Sequence, residues 1–251
     1  MCTLSFSPNR SGYSAAMNRD ELLTRPASLP PQFRSHENVQ LLYPTEPSGG
    51  AWIACNGSGN LLALLNWNDL SAPPLVTKSI SRGTLIPKLI VQPDAASTNA
   101  HLRRIALTSI FPFRLIGIFQ ASHNLSEWRW DGTSLEQFSL PWARKHWFSS
   151  SLSDASAEQH RGRFCGSIPV SKTENSHWLR DLHRSHFPEP GPFSICVHRP
   201  DAATVSYTEI CAANDSVSLN YLQGHPCSKD AFDFSGSIHL NEPRLAQSRP
   251  I

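Results

Sequence analysis

The sequence predicts an α+β fold, and three observations carry that reading. Short apolar runs separated by turn residues crowd both ends of the chain. Three stretches with helical spacing or helix-end signals lie between those ends. The 20 prolines mark many loops and edge strands. Sheets on this scale need covering layers, so the pattern fits two sheets, or one large one, with helices against them. A length of 251 residues, 39% hydrophobic and 17% charged, is read as one globular domain over 1–251.

Strands are expected over 2–6 and 12–17, joined by "PNRSG", where Asn9 and Gly12 supply the turn. The proline-rich stretch 24–48 reads as a long irregular loop. "AWIACNGSGNLLALLNWN" (51–68) reads as a hairpin around "NGSG". Residues 69–97 read as a second loop region. Over 98–110, Leu102, Ile105, Ala106 and Ile110 recur at helical spacing. "FRLIGIFQA" and "SEWRWDG" read as strands, and Asp131-Gly132 turns the chain into another, "SLEQFSL". A helix over 151–166 has Ser153 as N-cap, Asp154 and Glu158 early, and Gly166 at its end. A second helix over 174–187 places Trp178, Leu179, Leu182 and His186 near one face, and Pro188 and Pro190 stop it. Strands then follow as "PFSICVHR", "ATVSYTEI" and "SVSLNYL", and the last dozen residues read as loose.

Composition excludes several functions. The net charge is +2, and the basic pairs Arg103-Arg104 and Arg144-Lys145 stand isolated among apolar neighbours, so no nucleic-acid partner is expected. No run approaches the ~20 apolar residues of a membrane span. No charged leader precedes an apolar core, so the expected compartment is cytoplasmic and the six cysteines are expected as reduced thiols. His183 and His186 are spaced i, i+3, but "HExxH" and "CxxC" do not occur, and neither metal nor cofactor is expected. The oligomeric state is left open.

Cys2 follows the initiator methionine. Removal of Met1 would leave a thiol and a free α-amine on one residue, and the amine, with a pKa of ~7.7–8.0, can take the thiol proton. The plainer reading is a small residue buried on a first strand. Asn18, Arg19, Asp20 and Glu21 end the second strand. If that strand continues, two of them enter the core, where charges must be paired or functional. In a hairpin with 2–6 they emerge beside Cys2. Arg19 would then hold a substrate carboxylate or Asp20, and Asp20 would orient the α-amine.

These residues resemble a known family. "MCTL" (1–4), "NRDE" (18–21), "RP" (25–26), the block 49–68 with Trp52, "SRG" (81–83) and "GPFSICVHRPDAATVSYTEI" (191–210) are similar to the NRDE, or transport-and-Golgi-organisation, family. The family is similar to N-terminal nucleophile hydrolases. The resemblance therefore implies a four-layer αββα sandwich, two antiparallel sheets between helices. It also implies hydrolysis of a linear amide or related acyl bond, with Cys2 as nucleophile and Arg19, Asp20 and Asn66 as further catalytic residues. Asn66 ends the strand "LLALLN", as does the oxyanion-hole asparagine of bile-salt and penicillin acylases. Those acylases carry Arg-Asn-x-Asp after the second strand. Without a gap, Asn18 meets their arginine and Glu21 their aspartate, whereas a one-residue shift restores Arg19 and nearly restores Asp20. Asn18, Asn68 and Arg199 are candidates for binding substrate. The expected partner is a small-molecule substrate. The alternative is a non-catalytic carrier or chaperone for a hydrophobic ligand such as haem.

Overall fold

A computed structural model describes residues 2–36, 38–70, 80–169, 177–187 and 189–240. The chain opens on a long hairpin, β1 (Cys2–Asn9) and β2 (Gly12–Leu22). β3 (Leu29–His36), β4 (Val39–Thr45), β5 (Ile53–Asn56) and β6 (Leu61–Asn66) follow. Two helices come next, α1 (Leu85–Leu89) and α2 (Ala95–Leu102). Then come β7 (Phe113–Phe119), β8 (Asn124–Trp130), β9 (Leu135–Leu140) and β10 (Lys145–Ser149). α3 (Asp154–Ser167) and α4 (Trp178–His183) precede β11 (Ala202–Ala212), β12 (Ser216–Gln223) and β13 (Phe234–His239).

The strands form two antiparallel sheets. One has the order β10-β1-β2-β11-β12-β13, the other β3-β4-β5-β6-β7-β8-β9. Strand alternation sends one face of each sheet inward. Leu4, Phe6, Tyr13 and Met17 of the first sheet meet Leu42, Ile53, Leu61 and Ile116 of the second, all buried. The outer face of the second sheet packs Leu62, Leu115 and Trp128 against Leu85, Ile86, Leu89 and Leu102 of α1 and α2. The outer face of the first packs Ala16, Tyr207 and Leu222 against Ala157, Cys165, Leu179 and Leu182 of α3 and α4. Three apolar layers between four layers of backbone, two of sheet and two of helix, make an αββα sandwich. Each fully buried Leu or Phe contributes about 1.5–3 kcal/mol to it.

The hairpin over 51–68 forms as its turn chemistry demands. The Asn56 side chain accepts from the Ser58 and Asn60 N–H groups, and Gly59 takes a φ of +74°. The expected N-cap of α3 also forms: Ser153 Oγ accepts from the Ser156 N–H at 3.0 Å.

Other expectations are corrected. The stretch 24–48 is not one loop, because it contains β3 and β4. Pro30 and Pro31 fit since β3 is an edge strand, where an absent N–H breaks no ladder, and the register shifts between Leu29 and Gln32. Residues 69–97 include α1 and the start of α2. The helix over 98–110 ends at Leu102. Ala106 is exposed while Leu107 is buried, so the apolar period is broken there. Gly166 does not end α3, which runs to Ser167. α4 spans six residues, and His186 lies beyond it; residues 174–176 and Pro188 lie outside the described residues. "PFSICVHR" is no strand. Its Cys196 N–H bonds Ser185 O, its Val197 N–H bonds the Thr204 hydroxyl, and its Ile195 O is taken by the Asn18 amide. Side chains and loops thus satisfy a backbone that a sheet would otherwise hold. β10 and β13 were not anticipated from the sequence; of the last dozen residues, 241–251 lie outside the described residues.

Candidate functional site

β2 does not stop at Met17. It runs through Asn18, Arg19, Asp20 and Glu21, with the first three buried, and this continuation builds the site. Register places Cys2 opposite Arg19 on one side and Ser149 on the other. Alternation then sorts the motif by face. Arg19 follows Met17 toward the second sheet, and Asn18 follows Ala16 toward the helices.

A cleft of about 430 Å³ opens at this end of the sandwich. Cys2, Arg19, Asp20 and Asn66 all line it, with Glu21, Arg25, Glu46, Trp52, Arg82 and Phe111. Its wall requires a close backbone approach: the Ala51 N–H donates to Gly83 O at 3.0 Å, and a Cβ on Gly83 would lie 3.1 Å from Gly50 Cα. That contact accounts for the glycine of "SRG".

Arg19 spans the gap between the sheets. Its guanidinium lies over the Trp52 ring, 4.5 Å from the centroid, and donates to Glu46 at 2.7 Å and Glu21 at 3.2 Å. Arg25 pairs with the same two carboxylates at 3.4 and 3.5 Å. Arg82 donates to Pro112 O at 2.9 Å.

Cys2 is 6% exposed, at the floor of the cleft. Burial pushes its thiol above the ordinary value; the Asp20 charge adds to this, while Arg19 and the Asp20 backbone N–H favour the thiolate. Asp20 is buried too. Its Oδ1 accepts from the Thr204 hydroxyl at 2.6 Å, and its Oδ2 lies 3.6 Å from Arg161 Nη2. Burial raises the Asp20 carboxyl, and Arg161 and the Thr204 hydroxyl hold that rise back.

Asn66 is half-buried at the end of β6, and its side-chain amide has no hydrogen-bond partner among the described residues. The other three candidates lie outside the cleft lining. Asn18 donates to His183 O at 2.9 Å and Ile195 O at 3.0 Å, anchoring α4 and the loop before β11. Asn68 donates to Ser150 O and Asp154 Oδ1, both at 3.1 Å, and its N–H bonds Asp154 Oδ2. Arg199 grips Asp201 through two nitrogens at 3.0 and 2.7 Å and reaches Ser151.

The sequence reading missed Glu46, Arg82 and Arg161. Arg161 carried a signal: it sits between Ala157 and Cys165 at spacing of four, so α3 buries it with the apolar face. A second polar grouping lies outside the cleft lining. His186, Cys196, His198 and Cys227 converge, their ligand atoms within 4.8 Å of one another. No helix among the described residues is long and apolar enough to cross a membrane.

An αββα sandwich with its first-strand cysteine on the floor of a polar cleft is the class that fold and site define. The chain belongs to the Transport and Golgi organisation 2 family, whose family model matches residues 1–175. No curated protein matches the chain. Among solved structures it is similar to penicillin V acylase from Agrobacterium tumefaciens, at 11% identity and a TM-score of 0.48 over 89% of this chain and 86% of that one. It is likewise similar to a mutant conjugated bile acid hydrolase from Clostridium perfringens, at 11% identity and a TM-score of 0.48 over 97% of each chain.

Proposed function

We propose that this chain is a cysteine amide hydrolase of the N-terminal nucleophile type, acting on a small linear amide or related acyl compound. The carrying observation is the pairing of Cys2 with Arg19 at the floor of a cleft that Asp20 and Asn66 also line. Removal of Met1 frees the Cys2 α-amine. That amine takes the thiol proton as sulfur attacks the carbonyl carbon, and the Asn66 amide N–H stabilises the oxyanion. A donor so placed lowers the barrier by about 2.7–4 kcal/mol. The proton passes to the leaving nitrogen as the C–N bond breaks, leaving a thioester. Water then attacks the thioester, gives its proton to the amine, and releases the acid and the thiol.

Asp20 orients the amine from beneath, and Arg19, held by Glu46 and Trp52, fixes the substrate edge. Asn18, Asn68 and Arg199 lie outside the cleft lining, and in this reading they support the surrounding loops. The compartment is cytoplasmic in this reading, and residues 1–251 form one domain. All six cysteines are free, which is compatible with a reducing compartment. The charged lining of Arg19, Arg25, Arg82, Glu21 and Glu46 favours a polar substrate over the alternative, a carrier for a hydrophobic ligand such as haem.

The test is a panel of N-acyl amides assayed with the purified chain, its intact mass measured in parallel. Turnover by protein lacking Met1 that Cys2→Ala abolishes, with the fold kept by circular dichroism, supports the reading. Turnover that survives Cys2→Ala, or saturable haem binding with no hydrolysis across the panel, sinks it.

A further inference from the structure

We propose that His186, Cys196, His198 and Cys227 bind one zinc ion in a closed, structural Cys2His2 site. The four come from three segments: the chain just beyond α4, the irregular loop before β11, and the short 3-10 turn Pro226–Ser228. Cys196 is buried and the other three are half-buried.

The geometry is that of a tetrahedron. Zinc–sulfur bonds of about 2.3 Å and zinc–nitrogen bonds of about 2.0–2.1 Å set tetrahedral edges of about 3.4 Å between two nitrogens and about 3.6 Å between nitrogen and sulfur. His198 Nε2 lies 3.1 Å from His186 Nε2, 3.6 Å from Cys196 Sγ and 3.4 Å from Cys227 Sγ. Hydrogen bonding does not account for this arrangement. A ring nitrogen has one proton or one lone pair in the ring plane, so it serves one partner well, not three. A cation at the centre gives all three neighbours, and His198 itself, a common partner.

The chemistry of the set selects the metal. Two thiolates and two imidazoles suit a borderline-soft ion without geometric preference, and no position is left open for water. The ligands' own backbones are fixed: the Cys196 N–H donates to Ser185 O at 3.0 Å, Ser194 Oγ donates to Cys196 O at 2.5 Å, and the His225 ring packs 4.6 Å from that of His198. The ion would clamp a loop that has no sheet to hold it. That loop's Val197 N–H donates to the Thr204 hydroxyl, which donates to Asp20, so the clamp also steadies one wall beneath the cleft. Coordination displaces two thiol protons to solvent per ion bound.

The experiment uses the full chain, stripped with a chelator under reducing conditions and titrated with Co2+ and then Zn2+. One equivalent of Co2+ is expected to give the strong visible absorption of a tetrahedral ion with a thiolate charge-transfer band. Zn2+ is expected to displace it, with a rise in Tm. The Cys196→Ser/Cys227→Ser double variant is expected to lose the spectrum. His186→Asn, which leaves both thiols and the buried loop intact, is expected to weaken Co2+ binding by more than about tenfold. The proposal falls if the parent takes up no stoichiometric Co2+ or Zn2+, or if both variants bind as the parent does. It also falls if mass analysis of the unreduced protein finds Cys196 joined to Cys227 by a disulfide. None of these outcomes depends on hydrolytic activity.

Discussion

Arg161 places a guanidinium with no exposed surface 3.6 Å from Asp20 Oδ2, whose side chain is equally covered. Its other terminal nitrogen donates to the Thr3 hydroxyl at 2.9 Å. The pair pins α3 to the backs of β1 and β2, directly behind Cys2 and Arg19. Two ions so buried contribute little net stability as a pair, yet removing one leaves the other uncompensated at a cost of about 3–5 kcal/mol. Arg161→Met is therefore expected to be severely destabilising in urea unfolding. The Arg161→Met/Asp20→Asn double variant is expected to recover much of the loss. Additive single effects would show that the two side chains are not coupled.

Acid sensitivity should come from a buried histidine pair. His146 Nδ1 and His183 Nε2 flank the Ser5 hydroxyl at 2.8 and 2.9 Å. Burial first, and neighbouring positive groups with it, lower His146 to about 4 and His183 to about 3. The folded state therefore holds the neutral rings, while the unfolded chain protonates them near pH 6.5. This contribution is fully present above the unfolded pKa and is lost as pH falls toward the folded values. At about pH 5 each histidine would cost roughly 2 kcal/mol of stability. Urea midpoints between pH 7.5 and 5 should fall, and His146→Gln should flatten the slope. An unchanged slope in that variant would remove His146 from the account.

How much of this was legible in the sequence follows from the kind of signal each part leaves. The hairpins show because turn residues act locally: Asn56 and Gly59 close β5–β6 whatever surrounds them. The pairing of Cys2 with Arg19 was also within reach, since a hairpin's register follows from its turn. β3 was hidden because Pro30 and Pro31 read as loop, and only sheet position makes prolines tolerable. Asn18 and Asn68 were candidates for binding substrate through the resemblance, and the sequence does not show what their amides bond. Their partners, Ile195, Ser150 and Asp154, lie 82 or more positions away. The Cys2His2 grouping was equally dispersed. Cys196-x-His198 is a short hint, but Cys227 follows 29 residues after His198, and only the fold brings them together.

Asn66 separates a catalytic from a structural reading. Its side-chain amide has no partner among the described residues, so Asn66→Ala removes no packing bond there. If it donates to the oxyanion, kcat on a cleaved amide should fall by about 10²–10³ with little change in KM. Tm should stay within about a degree of the parent, as for a surface change. A loss confined to KM would make Asn66 a ground-state contact instead.

The Cys2 thiol itself should behave unlike a preformed thiolate. Burial raises its pKa above the ordinary value, so the resting sulfur is protonated at neutral pH. Alkylation of Cys2 by iodoacetamide is then expected to be slow near pH 7 and to rise about tenfold per pH unit into the alkaline range. The sign for stability follows from the same shift. The folded state prefers the neutral thiol, so its contribution is present below the unfolded pKa and lost as pH rises through the folded one. Unfolding midpoints should therefore drop in alkali, and Cys2→Ala should drop less. Mass spectrometry of Cys2 peptides after timed alkylation gives the rate. A rate independent of pH between 6 and 8 would mean that the thiolate already exists at rest, and the α-amine would then have no proton to remove.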